Sequence, residues 1–332
     1  MKFFFFRNSS VDPAPIRKAL LGWYEGHRRK LPWRETNDAY RIWVSEVMLQ
    51  QTRAAAVLEH YQKFLRRFPS VERLAAARSS SVMAAWSGLG YYRRARSMHA
   101  AAKKIVRDFG GHFPNSSAGL RRLPGIGRYT AAAVASIAFN EACAVMDGNI
   151  KRVLTRFFGN ANQTDGELWR LAESLLSRRR PGDFNQAMME LGATVCLPEP
   201  KCGRCPLFRW CATRGSFAVA QLPVRKKRSQ TCALMLQRGL VWLVQRTAEE
   251  RLMPGMWELP GMAPNVGSNG ALWKLRHSIT NTDYDVSVVR IPASKNPTRN
   301  QDSGAWIKYS RLEQIPLTGL TRKILRRANL IK

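Results

Sequence analysis

Two acids and four thiols are the side chains of this chain best suited to chemistry. Glu46 lies in Ser45-Glu46-Val47-Met48-Leu49-Gln50-Gln51-Thr52. At helical spacing it shares a face with Ile42 and Leu49, with Trp43 and Val47 alongside, so its carboxyl sits on or beside apolar surface. Desolvation there disfavours the charged form and moves the group towards service as a proton donor near neutral pH. The alternative is a boundary glutamate that snorkels to water. Asp147 opens Asp147-Gly148-Asn149-Ile150 ahead of a helix expected over 150–158, and capping that helix is its default role. The N–H donors of a cap also keep an aspartate ionised, as stabilisation of a developing cation requires. Cys196, Cys202, Cys205 and Cys211 fall within 16 positions, separated by five, two and five residues. Thiolates clustered in this way point to a metal site in a reducing compartment, either a structural zinc or a [4Fe–4S] cluster.

Two further stretches could hold a ligand. Leu123-Pro124-Gly125-Ile126-Gly127-Arg128-Tyr129-Thr130 places a proline and two glycines before an alanine-rich helix expected over 130–138. The proline stops a preceding helix, and Gly125 and Gly127 allow a tight turn. Such a turn aims free N–H groups and a positive dipole end outward, which suits a phosphate. An ordinary helix–turn–helix with a glycine cap has the same pattern. In Trp86-Ser87-Gly88-Leu89-Gly90-Tyr91-Tyr92-Arg93-Arg94, two aromatics stand beside two arginines after a Gly-Leu-Gly turn, combining stacking with phosphate attraction. Core aromatics beside a solvated basic turn is the plainer account.

Composition narrows the partner. The 332 residues carry 54 Lys and Arg against 23 Asp and Glu, a formal charge of +31. That excess favours nucleic acid, bound through its phosphates. A membrane surface is the competing polyanion, but no run of about 18 apolar residues exists to span a bilayer. Met1-Lys2-Phe3-Phe4-Phe5-Phe6-Arg7 begins like a signal peptide, yet its apolar core stops after four residues. A cytoplasmic, nucleoid-associated, monomeric protein is expected.

These motifs together resemble the helix–hairpin–helix–GPD superfamily of base-excision DNA glycosylases, and most closely its adenine-specific branch. The likeness rests on Leu123–Thr130, Asp147–Arg152, Ser45–Thr52 and Trp86–Arg94, and covers roughly residues 15 to 225 well. It implies that Glu46 protonates adenine, that Asp147 stabilises the cationic sugar, and that Asn149 helps position Asp147. It further implies that Gln51 enters the DNA stack, that Tyr91 wedges beside an oxidised guanine, and that Gln186 helps recognise the adenine edge. Arg34, after Leu31-Pro32-Trp33, is counted with this DNA- and base-binding set, as are Gly125, Ile126 and Gly127. Endonuclease-III-type relatives carry a lysine where this chain has Tyr129, so Schiff-base strand cleavage is not expected, and Tyr129 is counted with Glu46, Asp147 and Asn149 in the catalytic set. The family's cofactor is a [4Fe–4S] cluster, although the first cysteine spacing is one residue shorter here. Gly255-Met256-Trp257-Glu258-Leu259-Pro260-Gly261 resembles the family's Nudix-like C-terminal domain, without the acidic signature of a Nudix hydrolase. The family's Phe-Ser-His loop for 8-oxoguanine aligns with Ile279-Thr280-Asn281, leaving Thr280 and Asn281 as candidate contacts.

The expected fold is mainly α: a two-lobed helix–hairpin–helix–GPD glycosylase with a cluster loop, then a smaller α+β domain. Helices are expected over 14–27, 40–59, 71–85, 95–109, 168–176 and 184–194, with strands over 231–237, 240–246, 285–291 and 305–308. The divisions expected are an extension over 1–14, a glycosylase domain over 15–214 with its cysteine loop at 196–211, a basic linker over 215–230, and the C-terminal domain over 231–332. The substrate expected is duplex DNA with adenine opposite 8-oxoguanine or guanine. An endonuclease-III-type lyase for oxidised pyrimidines and a non-catalytic DNA-binding protein are the alternatives.

Overall fold

The computed structural model describes residues 12–215, 225–250, 252–262, 271–293 and 304–331. Met1–Arg7 and residues 216–224 of the expected linker lie outside the described residues. Twelve α-helices and eight strands are named among those described. Contacts divide the chain into two units that are not sequential: residues 1–50 with 104–221, and residues 51–103 with 222–332.

The first unit is helical. It contains α1 (Pro13–His27) and α2 (Ala39–Leu49), then, beyond a segment of the other unit, α7 (Ser117–Leu120), α8 (Arg128–Phe139), α9 (Gly148–Phe158), α10 (Asp165–Leu175) and α11 (Pro181–Thr194). Local chemistry sets the starts. Asp12 accepts from Ala14 N and Asp38 from Arg41 N, and proline opens both α1 and α11. Thr164 and Glu167 form a reciprocal capping box at α10. Ile16, Leu20, Ala132, Ile150, Leu154, Leu168, Ala187 and Leu191 meet in one core, with Cys196, Cys205 and Cys211 packed against it. The unbroken buried run from Thr130 to Ser136 is small enough to let α2 and α11 approach α8 closely.

The second unit holds α3 (Ala54–Arg67), α4 (Val71–Ala75), α5 (Ser79–Ala85) and most of α6 (Arg93–Phe109), within which the division falls. After 222 come β1 (Lys226–Leu234), β2 (Leu236–Gln237), β3 (Leu240–Gln245), β4 (Trp257–Glu258), β5 (Gly261–Met262), β6 (Ala271–Ile279), β7 (Thr282–Arg290), β8 (Gly304–Lys308) and α12 (Gly319–Arg327). One sheet runs β5-β1-β7-β6, with β1 parallel to β7; the other runs β2-β3-β4, with β8 also on β3. Val241, Leu243, Val286, Val288, Ile324 and Leu325 close a core under them.

Four expectations change. The helix expected over 40–59 is two helices: Gln50 leaves the helical conformation and Gln51 adopts φ +55°, left-handed. Neither Gly nor Pro marks that break. Residues 71–85 likewise form two short helices, α4 and α5, rather than one. Lys226–Arg228, expected in the linker, are the start of β1, paired from Lys226 opposite Thr282. His277–Ile279 end β6, so Thr280 and Asn281 are the two-residue turn of a hairpin rather than a longer loop.

Gly182 shows how tight the helix contact is. A Cβ there would stand 2.7 Å from Ser136 O and 2.9 Å from Ile137 Cα, both backbone atoms of α8. Gly182→Ala is expected to lower stability by about 2 kcal/mol or more through overpacking, read from denaturant unfolding.

Candidate active site

Glu46 does not snorkel. Residues 40 and 42–48 of α2 are all buried, and Glu46 is 4% exposed, so the helix is enclosed nearly all round rather than along one face. Tyr129, in the first turn of α8, donates its hydroxyl to Glu46 Oε2 at 2.7 Å and lies 3.4 Å from Met189 Sδ. Burial raises the Glu46 pKa to about 7; the Tyr129 hydrogen bond opposes the shift, the charge of Asp147 adds to it, and that of Arg34 opposes it. The Tyr129 phenol is itself raised well above its ordinary value, by burial first and then by the negative charge of Glu46. Tyr129 is among the expected catalytic residues, but its bond to Glu46 spans 83 positions, and no local pattern announces that partner.

Asp147 caps α9, as its spacing foretold. Its Oδ1 accepts from Ile150 N at 2.7 Å and its Oδ2 from Asn149 Nδ2 at 3.2 Å. Asn149 is held in turn: Arg152 Nη2 donates to Asn149 Oδ1 (2.9 Å) and Gly192 O (2.7 Å), and Arg152 Nε donates to Cys196 O (2.8 Å). One arginine thus ties the Asp147 turn to the first cysteine of the loop. Gly192 leaves no room beside it, since a Cβ there would meet Asn149 Cβ at 2.8 Å.

Arg34 is engaged. Its Nη2 pairs with Glu190 Oε2 at 2.6 Å, and Arg29 Nε pairs with Oε1 at 2.7 Å. Burial would raise the fully enclosed Glu190, but hydrogen bonds from Arg29 and Arg34 and their charges outweigh it and hold the carboxyl at about 2. Gln186 accepts from Tyr24 OH at 3.3 Å, and the Arg34 guanidinium lies 5.6 Å from the centre of the Tyr24 ring. Glu190 and Tyr24 were not foreseen as part of this group.

At the hairpin, Gly125 has φ +74°, which a side chain would strain, and Ile126 N donates to Leu123 O at 3.2 Å. The Ile126 side chain is buried, whereas Gly125 and Gly127 are exposed. No side chain caps α8 at Gly127, and Arg128 lies over Trp169, 3.7 Å from the ring centre.

Cys196, Cys202, Cys205 and Cys211 line one pocket with Val153, Arg156 and Leu191, and none is in a disulfide. Arg156 is 3% exposed. Its Nη1 donates to Leu197 O (2.5 Å) and towards Cys196 Sγ (3.6 Å), its Nη2 to Pro198 O (2.7 Å), and its Nε is buried without a partner. A guanidinium so enclosed calls for an anion beside it. Burial pushes the Cys205 thiol up to about 11. Among the described residues no three of these side-chain types gather closely enough to hold a single metal ion.

In the second unit Gln51 (φ +55°), Tyr91 (φ +47°) and Thr280 (φ +51°) are exposed residues in left-handed backbone. Carbonyls of the Thr280–Asn281 turn accept from Arg225 Nη2 (2.9 Å) and Lys226 N (3.0 Å).

Residues 44–178 match the HhH-GPD superfamily of base excision DNA repair proteins. The adenine DNA glycosylase of Mycobacterium tuberculosis is 40% identical over 238 residues, covering 69% of this chain and 78% of that protein. The chain belongs to the adenine DNA glycosylase family. The Rattus norvegicus member is 47% identical over 231 residues, covering 64% of this chain and 45% of that protein. The chain spans about half the length of its mammalian and plant relatives. Among solved structures, a thermostable thymine-DNA glycosylase is similar with TM-score 0.58 and 31% identity, covering 62% of this chain and 97% of that one. An endonuclease III–DNA complex has the same fold at TM-score 0.54 and 19% identity. The first unit holds Glu46, Tyr129, Asp147 and the cysteine loop, and the second holds Gln51, Tyr91 and the 280–281 turn.

Glu46 carries a pH signature. Its folded pKa of about 7 stands above the ordinary 4.5, so its contribution to stability is complete below pH 4.5 and is lost as pH rises through 7. The loss is on the order of 3 kcal/mol. Glu46→Gln is expected to abolish that dependence, leaving the variant more stable than the parent at pH 8 to 9 in urea unfolding.

Proposed function

We propose that the chain hydrolyses the N-glycosidic bond of adenine mispaired with 8-oxoguanine, and with guanine, in duplex DNA. The observation that supports this best is the pairing of unlike acids: Glu46 is desolvated and raised to about 7, while Asp147 is fixed by Ile150 N and Asn149. Glycosidic cleavage uses one carboxyl as acid and another to stabilise the cationic sugar.

The adenine leaves the stack, since its N7 and glycosidic bond cannot be worked on inside the duplex. Glu46 delivers a proton to N7 and turns the base into a neutral leaving group. Tyr129 keeps the carboxyl oriented through Oε2, and burial keeps the proton available near neutral pH. Asp147 faces the positive charge that grows on the sugar, and water completes the hydrolysis. Tyr129 supplies no amine, so no Schiff base forms and the strand stays intact. Gly125 and Gly127 hold phosphate through backbone N–H groups at the uncapped start of α8, while Ile126, whose N–H is taken by Leu123 O, anchors the hairpin from the buried side. Gln51 and Tyr91 enter the stack, and Thr280 and Asn281 meet the oxidised base; strained backbone at exposed non-glycine residues accords with such work. The charge of +31 draws the protein to DNA and opposes self-association, in keeping with a monomer.

Cys196, Cys202, Cys205 and Cys211 fit a [4Fe–4S] cluster: the four thiols share one pocket beside a buried guanidinium that an anionic cluster would balance. When bound, the cluster supplies a cross-link for the loop and an anion for Arg156. The residues' own part is to hold it and, through Arg152, to brace Asn149.

Single-turnover release from a duplex with one 8-oxoguanine·adenine pair tests the reading. Free adenine is expected, with strand breaks only after alkali, and Glu46→Gln should cost about 10²- to 10⁴-fold. The rate should fall about tenfold per pH unit above 7, as Glu46 loses its proton. No adenine from folded, cluster-loaded protein would overturn the proposal. Gly192→Ala pushes on Asn149 and is expected to slow release more than it lowers the unfolding midpoint.

A further inference from the structure

Tyr91 is 44% exposed on a left-handed backbone, a conformation that a tyrosine keeps only when its neighbours enforce it. Two groups of neighbours do so. In the first, the Arg94 guanidinium lies 5.4 Å from the ring centres of both Tyr91 and the buried Trp86, and Arg94 Nη2 donates to Leu89 O and Gly90 O, each at 3.1 Å. Trp86 Nε1 also donates to Gly90 O at 3.1 Å. In the second, Ser87 Oγ and Tyr92 OH both donate to a single carbonyl, Leu317 O, at 2.7 and 3.2 Å. Tyr92 OH in turn accepts from Gly88 N at 3.4 Å.

Leu317 is more than two hundred residues away in sequence and fully buried. Its loop is fastened to the sheet of the same unit: Trp257 N donates to Pro316 O at 2.7 Å, and Thr318 N to Trp257 O at 2.9 Å. Thr318 also caps α12 by accepting from Thr321 N. Ser87 stands four residues before Tyr91 and Tyr92 one after it, so the two hydroxyls bracket the strained residue. Both are buried, at 1% and 4% exposure, and together they fill the two acceptor positions of one carbonyl. A turn held at both ends in this way cannot let Tyr91 relax to an extended backbone without giving up buried hydrogen bonds.

We propose that Ser87 and Tyr92 are positioning residues, and that through the Leu317 carbonyl the C-terminal half of the unit sets where Tyr91 stands on DNA. The inference rests on the reading of Tyr91 as a residue that enters the stack. It gives the C-terminal segment a part beyond meeting the oxidised base, because a shift of β4 at Trp257 reaches Tyr91 through one carbonyl.

The test is a mutant cycle in the full chain with its cluster: Ser87→Ala/Tyr92→Phe, Tyr91→Ala, and all three together. Two readouts are taken. One is the fluorescence of 2-aminopurine placed beside the 8-oxoguanine, which reports unstacking without chemistry; the other is single-turnover adenine release. The double variant is expected to lose about tenfold in rate and most of the fluorescence rise, with no further change once Tyr91 is alanine. Equal losses with and without Tyr91, or no loss in either, would overturn the proposal. If Tyr91→Ala alone matches the parent in both readouts, the stacking reading fails and the proposal fails with it. Absence of adenine release from the parent would remove the proposed activity, yet the fluorescence cycle would still decide the latch. If unfolding melts show the double variant unfolded, Ser87→Ala alone, which removes one oxygen, completes the same cycle.

Discussion

A carboxyl kept out of water beside a phenol is the constraint on which the first unit depends. Enclosing Glu46 costs free energy whenever it is ionised, and the fold accepts that cost by burying α2 nearly all round, with its Tyr40, Trp43, Val47 and Met48 out of water beside Glu46. Tyr129 limits the penalty without removing it, since its hydrogen bond opposes the rise while burial prevails. A lysine at position 129 would bring a positive charge to that place and draw Glu46 towards its ionised form. The same substitution that removes an amine nucleophile therefore also keeps the acid protonated. Position 129 sets two properties at once.

The two acids are held by different means, and each means suits its part. Glu46 is shielded, so burial favours its protonated form; Asp147 is given N–H donors, so its carboxyl oxygens are fixed in place. The second arrangement is extended by arginine. Arg152 joins Asn149, Gly192 and Cys196, and Arg156 closes the carbonyls of Leu197 and Pro198 beside the cysteine pocket. The loop and the Asp147 turn thus share one hydrogen-bonded frame, although the cysteines lie 49 to 64 positions from Asp147.

Much of this was legible from residue types alone. The period of Ile42, Glu46 and Leu49, the proline and glycines before α8, and the cap at Asp147 are local signals; α8 and α9 lie close to the expected bounds, whereas α2 keeps its expected start but ends at Leu49. What escaped was set by distant partners. No Gly or Pro marks the break at Gln51, and a left-handed glutamine has no local sequence signature. The Tyr129–Glu46 and Glu190–Arg34 pairs join residues far apart in sequence. β6 was missed for another reason. Its alternation of inward Trp273, Leu275 and His277 with outward Lys274 and Arg276 is a strand pattern, but likeness to a recognition loop drew attention to its last residues only.

The second unit answers a different physical problem, that of holding exposed side chains on strained backbone. Gln51, Tyr91 and Thr280 share exposure and left-handed backbone, which is costly for residues with a Cβ. At Tyr91 the restraint can be followed atom by atom, through Arg94, Trp86 and the Leu317 carbonyl. At Thr280 it is the hairpin, whose turn carbonyls are taken by Arg225 and Lys226 at the start of β1. Burial of a reactive group and rigid display of a strained one use the same resource, dense packing around a few hydrogen bonds.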